Sequence, residues 1–286
     1  MHPEDPIVYI VHSPSYTYMH SGVRCLHLLC HHLNRLGYRS YINTQVINPN
    51  FETPVADTEV LERLRREGSV EIVIYPEVTN GNPLNAERVV RYLLNKPGYL
   101  TGVGVEGFGL GDFFIHYADE FLPPGLKSLK VRIPLVDQDV YRPPEQSTLR
   151  DLFAVYAVRY QPDTASFPAW VRNVETISRA RPREPPALVE LYHRSRALIS
   201  GERTSAINEA IHCGCPVIII PNEEFEHRPV VEFYGGHGLV VGFDEVGLER
   251  AAQSLDFART RYRMQFQNWD EALHSFVKHS RKHFGL

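Results

Sequence analysis

The chain has 286 residues, 43% of them apolar and 22% charged, globular proportions that exclude general disorder. At roughly 100–200 residues per domain, this length suits one large domain or two small ones. Lys and Arg total 30 against 34 Asp and Glu, a net charge of −4 that argues against a protein that coats nucleic acid. No apolar run approaches the roughly 18–20 residues that span a bilayer. The opening Met-His-Pro-Glu-Asp-Pro lacks the basic-then-apolar pattern of a signal peptide. Cys25, Cys30, Cys213 and Cys215 form no dense disulfide framework and read as reduced core thiols of a cytosolic protein. Cys213-Gly-Cys215 has no second Cys/His pair at zinc spacing.

In chain order, short β-rich runs alternate with helical patterns, the signature of βαβ units. Ile7–Val11 is a buried-type strand, and a polar loop from His12 to His20 follows. Ser21 is the expected cap of a helix with Val23, Leu26, Leu29, Cys30 and Leu33 on one face, closed by Gly37. Tyr41–Asn43 begins the next strand. Asp57 or Thr58 opens a charged helix that Gly68 ends before the strand Val70–Tyr75. After a turn-rich loop from Pro76 to Pro83, Asn85 is the expected cap of a helix from Ala86 to Leu94. Phe113–Tyr117 and Val131–Val136 read as strands. Arg142-Pro-Pro-Glu-Gln146 reads as a linker, which predicts domains 1–145 and 146–286. In the second half the expected elements are the strand Leu152–Val158, a helix over Ala187–Arg194 and the strand Ala197–Ser200. A helix over Thr204–Cys213, the strand Val217–Ile220 and a long helical stretch from Leu248 to about His283 follow. Two α/β halves joined by a Pro-rich linker imply a cleft between them, a preferred place for ligands.

The segment from Ala197 to Pro216 carries the strongest chemical signal: strand, tight turn, helix, strand. Gly201 lets the chain turn after the strand. Thr204 and Ser205 stand where a helix must start, and the unpaired amides there favour a phosphate. Arg203 can add a charge-assisted contact. Glu209, one turn beyond Ser205, can accept hydrogen bonds from a ribose diol, and Glu202 in the turn can face a sugar. The plain alternative makes Thr204 or Ser205 an N-cap and Glu209 a solvated helix residue.

This segment resembles the nucleotide-sugar-binding segment of the GT-B glycosyltransferases of the group 1/family 4 type. The matching residues are Glu202, Thr204, Ser205, Glu209, Ala210, Gly214, Pro216 and Val217. Pro134 to Pro143 resembles the hinge leading into that family's second domain. Ser21-Gly22-Val23-Arg24 is similar to its first glycine loop, and Arg159, after the strand opening the second half, stands where the family places a basic residue on the donor diphosphate. Pro76 to Gly98 looks like segments of bacterial surface-polysaccharide transferases. The resemblance implies an α/β, GT-B-like fold of two Rossmann-like domains with a cleft between them. It implies transfer of a sugar from a nucleotide-sugar donor to a glycan or lipid-linked acceptor in surface polysaccharide or lipopolysaccharide synthesis. Donor binding would then fall to Gly22, Arg159, Arg203, Thr204, Ser205 and Glu209, with no cofactor and no divalent metal expected.

Other constellations compete. His20 lies in the loop after the first strand, and Glu106 in a Gly-rich stretch; each is a candidate base for an acceptor hydroxyl, beside Glu202 as a third catalytic candidate. A packing or surface role for His20, and a merely flexible loop around Glu106, are the bland alternatives. Asp137-Gln-Asp139 has the form of a metal-binding DxD, but its surroundings match the hinge. Arg259 to Lys282 is basic and aromatic, which suits a helix crossing back onto the first domain, peripheral contact with the inner face of a membrane, or a solvated face over a core stripe. Two other functions fit the same build: a nucleotide-sugar epimerase, and a non-catalytic member that binds a glycan or a partner.

Overall fold

Strand-forming apolar runs become two all-parallel sheets in the computed structural model, which describes residues 5–146, 148–223 and 227–286. The elements of the first half are β1 (Ile7–His12), α1 (Ser21–Arg35), β2 (Ser40–Asn43), α2 (Thr58–Arg66), β3 (Val70–Pro76), β4 (Val89–Leu93), β5 (Phe113–His116) and β6 (Leu129–Lys130). Then come β7 (Leu152–Tyr156), β8 (Val174–Ile177), α3 (Pro185–Arg194), β9 (Ser195–Ser200), α4 (Ala206–His212), β10 (Val217–Ile219), α5 (Arg228–Tyr234) and β11 (Leu239–Val241). Three helices close the chain: α6 (Glu245–Gln253), α7 (Leu255–Gln265) and α8 (Trp269–His283). The chain divides into two compact units, Met1–Leu135 with Asn268–Leu286, and Val136–Gln267. The changeover after Leu135 precedes the Pro-rich stretch at 142–146. Among the described residues no helix is long and apolar enough to cross a membrane.

The first unit has the strand order β2-β1-β3-β4-β5-β6. Every pair is parallel, and both faces of the central strands are covered, which is why β1 reads as a near-continuous apolar run and every residue of β4 is buried. On one face Tyr9, Val11, Ile72, Ile74, Val90 and Tyr92 meet the apolar stripe of α1 and Leu273, Phe276 and Val277 of α8. On the other, Val8, Ile10, Val73, Tyr75 and Val89 meet Leu61 and Leu64 of α2. Asp57 caps α2 by accepting the Val60 amide at 2.8 Å.

Three expectations need correction in this unit. His20, not Ser21, is the N-cap of α1, and it makes no side-chain capping bond. The helix expected over Ala86–Leu94 is the strand β4: Val-Val-Arg-Tyr-Leu is buried on both sides, and Asn85 sits at φ 49°, outside any helix start. The connections at 77–88 and 94–112 carry, among their described residues, one 3-10 turn (Val105–Gly107) and no α-helix. Val131–Val136 is not a strand; β6 precedes it, and Pro134 has no N–H for a ladder.

The second unit has the order β11-β10-β9-β7-β8, again all parallel. Its edge strand β8, with only Ile177 buried, carries too weak a pattern to be read from sequence. The long helical stretch breaks at Ser254 and again at 266–268. Gly238 is needed by contact: a Cβ there would lie 2.8 Å from Ala258 of α7. All four cysteines are free and buried; burial pushes Cys25, Cys30 and Cys215 up to about 12 and Cys213 higher still.

Candidate functional site

Ligands of parallel α/β sheets gather at the strand carboxyl ends, where successive connections depart in opposite directions. In the second unit that point lies between β7 and β9, since β7 leads to β8 on one side and the chain then returns to β9 on the other. The loops leaving β7 and β9 meet there around one carboxylate. Glu202, 6% exposed, accepts the backbone amides of Val158 at 3.0 Å and Arg159 at 2.8 Å through Oε1. Its Oε2 accepts Arg159 Nε at 2.7 Å. The Arg159 guanidinium also donates to the Arg203 carbonyl, so the two loops are tied twice. Glu202 is therefore a clasp within the unit, its carboxylate held by the turn after β7.

The neighbouring Gly201 is explained by contact. A Cβ would lie 2.3 Å from Cδ1 of the Tyr160 ring, and the Gly201 carbonyl accepts the Asn222 side-chain amide at 2.7 Å. That same amide also reaches the Ile220 carbonyl at 3.2 Å, so the end of β10 joins the edge. Thr204 immediately precedes the N-cap of α4: its hydroxyl accepts the Ala206 amide at 3.2 Å and also bonds the Tyr156 phenol. Burial raises that phenol, and the Thr204 bond holds it back. Ser205 is the N-cap of α4 in helical geometry and makes no side-chain capping bond. The edge thus gathers Arg159, Glu202, Arg203, Thr204 and Ser205.

Glu209 is one turn farther along α4 and only 4% exposed, so it is not the solvated helix residue of the plain alternative. After burial, its charge is the largest influence pushing Tyr192 well above the usual phenol range, and it also raises Tyr156 and Cys213. It therefore belongs to a buried polar cluster under the start of α4.

His20, Gly22 and Glu106 lie in the first unit. His20 is exposed beside the carboxyl edge of β1, and its carbonyl accepts the Arg24 amide at 3.0 Å. Gly22 is in the first turn of α1, where a Cβ would make only ordinary contact, 3.9 Å from Leu94 Cδ1. Glu106 is in the 3-10 turn between β4 and β5 and accepts the Gly104 amide at 2.8 Å. Its own amide and then that bond hold its carboxyl below the usual range. Sequence reading passed over Glu77, directly after β3 and 4% exposed. It accepts the Leu94 amide at 2.9 Å, and burial raises its carboxyl to about 7 against the pull of backbone bonds from Leu94 and Asn95. The available signal was an acid ending an apolar strand, Ile-Val-Ile-Tyr-Pro-Glu.

The DxD triplet folds as a turn, with Asp137 Oδ1 accepting the Asp139 amide at 3.0 Å. No group of three or more His, Cys, Asp or Glu among the described residues is arranged to hold a metal ion.

No family model and no curated protein matches this sequence. Solved structures do. WaaG, a glycosyltransferase involved in lipopolysaccharide biosynthesis, is 12% identical, with 95% of each chain covered and a TM-score of 0.52. The glycosyltransferase SnogD from Streptomyces nogalater is 15% identical over 96% of this chain and 99% of its own, with a TM-score of 0.51. The glycotransferase of kitacinnamycin is 10% identical over 96% and 98%, at 0.52. The fold is GT-B. Its two parallel sheets account for the two βαβ series of the sequence, and the GT-B second domain corresponds to the unit that holds the Glu202 clasp.

Proposed function

We propose that the protein is a glycosyltransferase that moves a sugar from a nucleotide-sugar donor to a glycan or lipid-linked acceptor in surface polysaccharide or lipopolysaccharide synthesis. The acceptor half of this reading rests on the sequence resemblance. The observation that carries the donor half is the joining of the β7 and β9 loops beside the start of α4, at the switch point of a GT-B second domain. Arg159, its side chain 37% exposed, and Arg203 supply positive charge, while Thr204 and Ser205 supply hydroxyls for a diphosphate. Glu202 acts as a positioning residue that fixes Arg159, and Glu209 anchors the ribose side.

In the reaction the anomeric C–O bond to the diphosphate breaks and a bond from the acceptor oxygen to the same carbon forms. The diphosphate leaves with its electron pair, stabilised by the arginines and backbone amides. The acceptor proton passes to a base, for which the edge of the first sheet offers His20 and Glu77. No cofactor takes part. The protein works in the cytoplasm, where such donors are made, with peripheral contact at the membrane as the setting for a lipid-linked acceptor.

Thermal-shift measurements with UDP-, GDP-, dTDP- and CMP-sugars test this. At least one donor should raise the melting temperature of the wild type, and Arg203→Ala with Ser205→Ala should abolish the shift. No shift with any of the four donor classes would overturn the reading and favour a binding module.

A further inference from the structure

The chain passes between the two units twice, from Leu135 to Val136 and from Gln267 to Asn268. In the second unit both passages are fastened to one buried side chain, Tyr262 of α7. Its hydroxyl accepts the Val136 amide at 3.3 Å, so it holds the first residue after one crossing. Its ring centre lies 4.6 Å from that of Phe266, the next-to-last residue before the other.

The same ring meets the helix that leads away from the proposed donor edge. His212, the last residue of α4, is buried, with its ring centre 4.5 Å from that of Tyr262 and 77° between the ring planes. The Arg259 guanidinium of α7 donates to the Ile211 carbonyl at 3.2 Å, a second tie between the two helices. α4 spans roughly 10 Å between His212 and the loop at 201–205. Close-packed interiors transmit strain, so a displacement of that loop reaches Tyr262 through one short rigid element.

A histidine at this contact does more than fill space. Its Nδ1 donates to the Asn208 carbonyl at 2.8 Å, and burial lowers the ring to about 4, so it is neutral and Nε2 carries a bare lone pair. That Nε2 is buried and finds no hydrogen-bond partner among the described residues. Phenylalanine or leucine would fill the place without an orphaned acceptor. An unpaired buried acceptor stores free energy that a second arrangement of the same groups releases. The Arg259 and Arg263 charges lie close enough to lower His212 further, so N–H donors for that lone pair are near. We propose that His212 and Tyr262 are positioning residues: donor bound at the 201–205 edge shifts α4 against α7 and, through this pair, steadies the chain at both crossings. This inference rests on the donor site proposed above.

Hydrogen exchange read by mass spectrometry on the full chain tests it, with UDP-glucose, GDP-mannose, dTDP-glucose and CMP-N-acetylneuraminate as probes. In the wild type at least one probe should slow exchange at 201–206. The same probe should slow it at 136–141 and 266–269 by about fivefold or more, the low end of typical couplings between sites. His212→Ala, at the far end of α4, should keep the first effect and lose the second at both crossings. Tyr262→Phe, which removes only the hydroxyl, should lose it at 136–141 and keep it at 266–269. A merely structural role would change exchange at the crossings equally with and without probe. Protection at 201–206 with none at the crossings overturns this inference and leaves the donor site standing. So does a wild-type crossing response in a folded His212→Ala; if that variant does not fold, an undiminished response at 136–141 in Tyr262→Phe has the same force. No protection at 201–206 by any probe overturns the donor reading, and this inference with it.

Discussion

Replacing Glu202 by Gln probes the clasp that organises the second unit's edge. A glutamine oxygen still accepts the Val158 and Arg159 amides, now at 3.0 and 2.8 Å. Its NH₂ group must then face Arg159 Nε, which donates to the carboxylate at 2.7 Å in the wild type. A hydrogen bond to a charged group contributes about 1.5–3 kcal/mol. Arg159 is 37% exposed and water relieves part of the loss, so the lower half of that range, about 1.5–2 kcal/mol, is expected. The two tryptophans make the measurement specific. Trp170 packs on Phe153 and Phe243 in the second unit, and Trp269 opens α8 in the first. In a Trp269→Phe background, urea unfolding followed by Trp170 fluorescence should show a lower midpoint with an unchanged slope. A midpoint equal to the parent's would mean that the clasp does not hold the loops.

Arg91→Met leaves Asp112, whose side chain is 8% exposed, as an uncompensated buried charge. A loss of about 3–5 kcal/mol is expected in the first unit, read from Trp269 in a Trp170→Phe background. A loss below about 0.5 kcal/mol, the usual range for surface substitutions, would show the Arg91–Asp112 pair to be dispensable. Glu77, raised to about 7 from an ordinary 4.5, keeps in the folded state a proton that the unfolded chain gives up. Its contribution is therefore complete below pH 4.5 and is lost as pH rises through 7. Glu77→Gln should be more stable than wild type at pH 8, with the gap closing below pH 5; parallel stability profiles would refute the assignment.

Much of the architecture is legible in local sequence. The apolar run of β1, the stripe of α1, the Asp57 cap and the β9–α4–β10 series depend on neighbouring residues and were readable from them. The misread element is β4, because a short apolar run preceded by Asn85 fits either a capped helix or a strand buried on both faces. What decides it is distant: Arg91 finds its partners at residues 79, 81 and 112. Glu202 illustrates the same limit. A carboxylate in a turn is visible in the sequence, but the amides it holds are more than 40 residues away. Glu77 escaped because burial, which sets its proton affinity, is a property of the packed sheet edge.

Diffraction from crystals soaked with whichever nucleotide sugar stabilises the protein most tests the central claim directly. The account places the diphosphate against Arg159, Thr204 and Ser205, with the ribose toward Glu209. A nucleotide bound on any other surface, with residues 201–205 untouched, would contradict it.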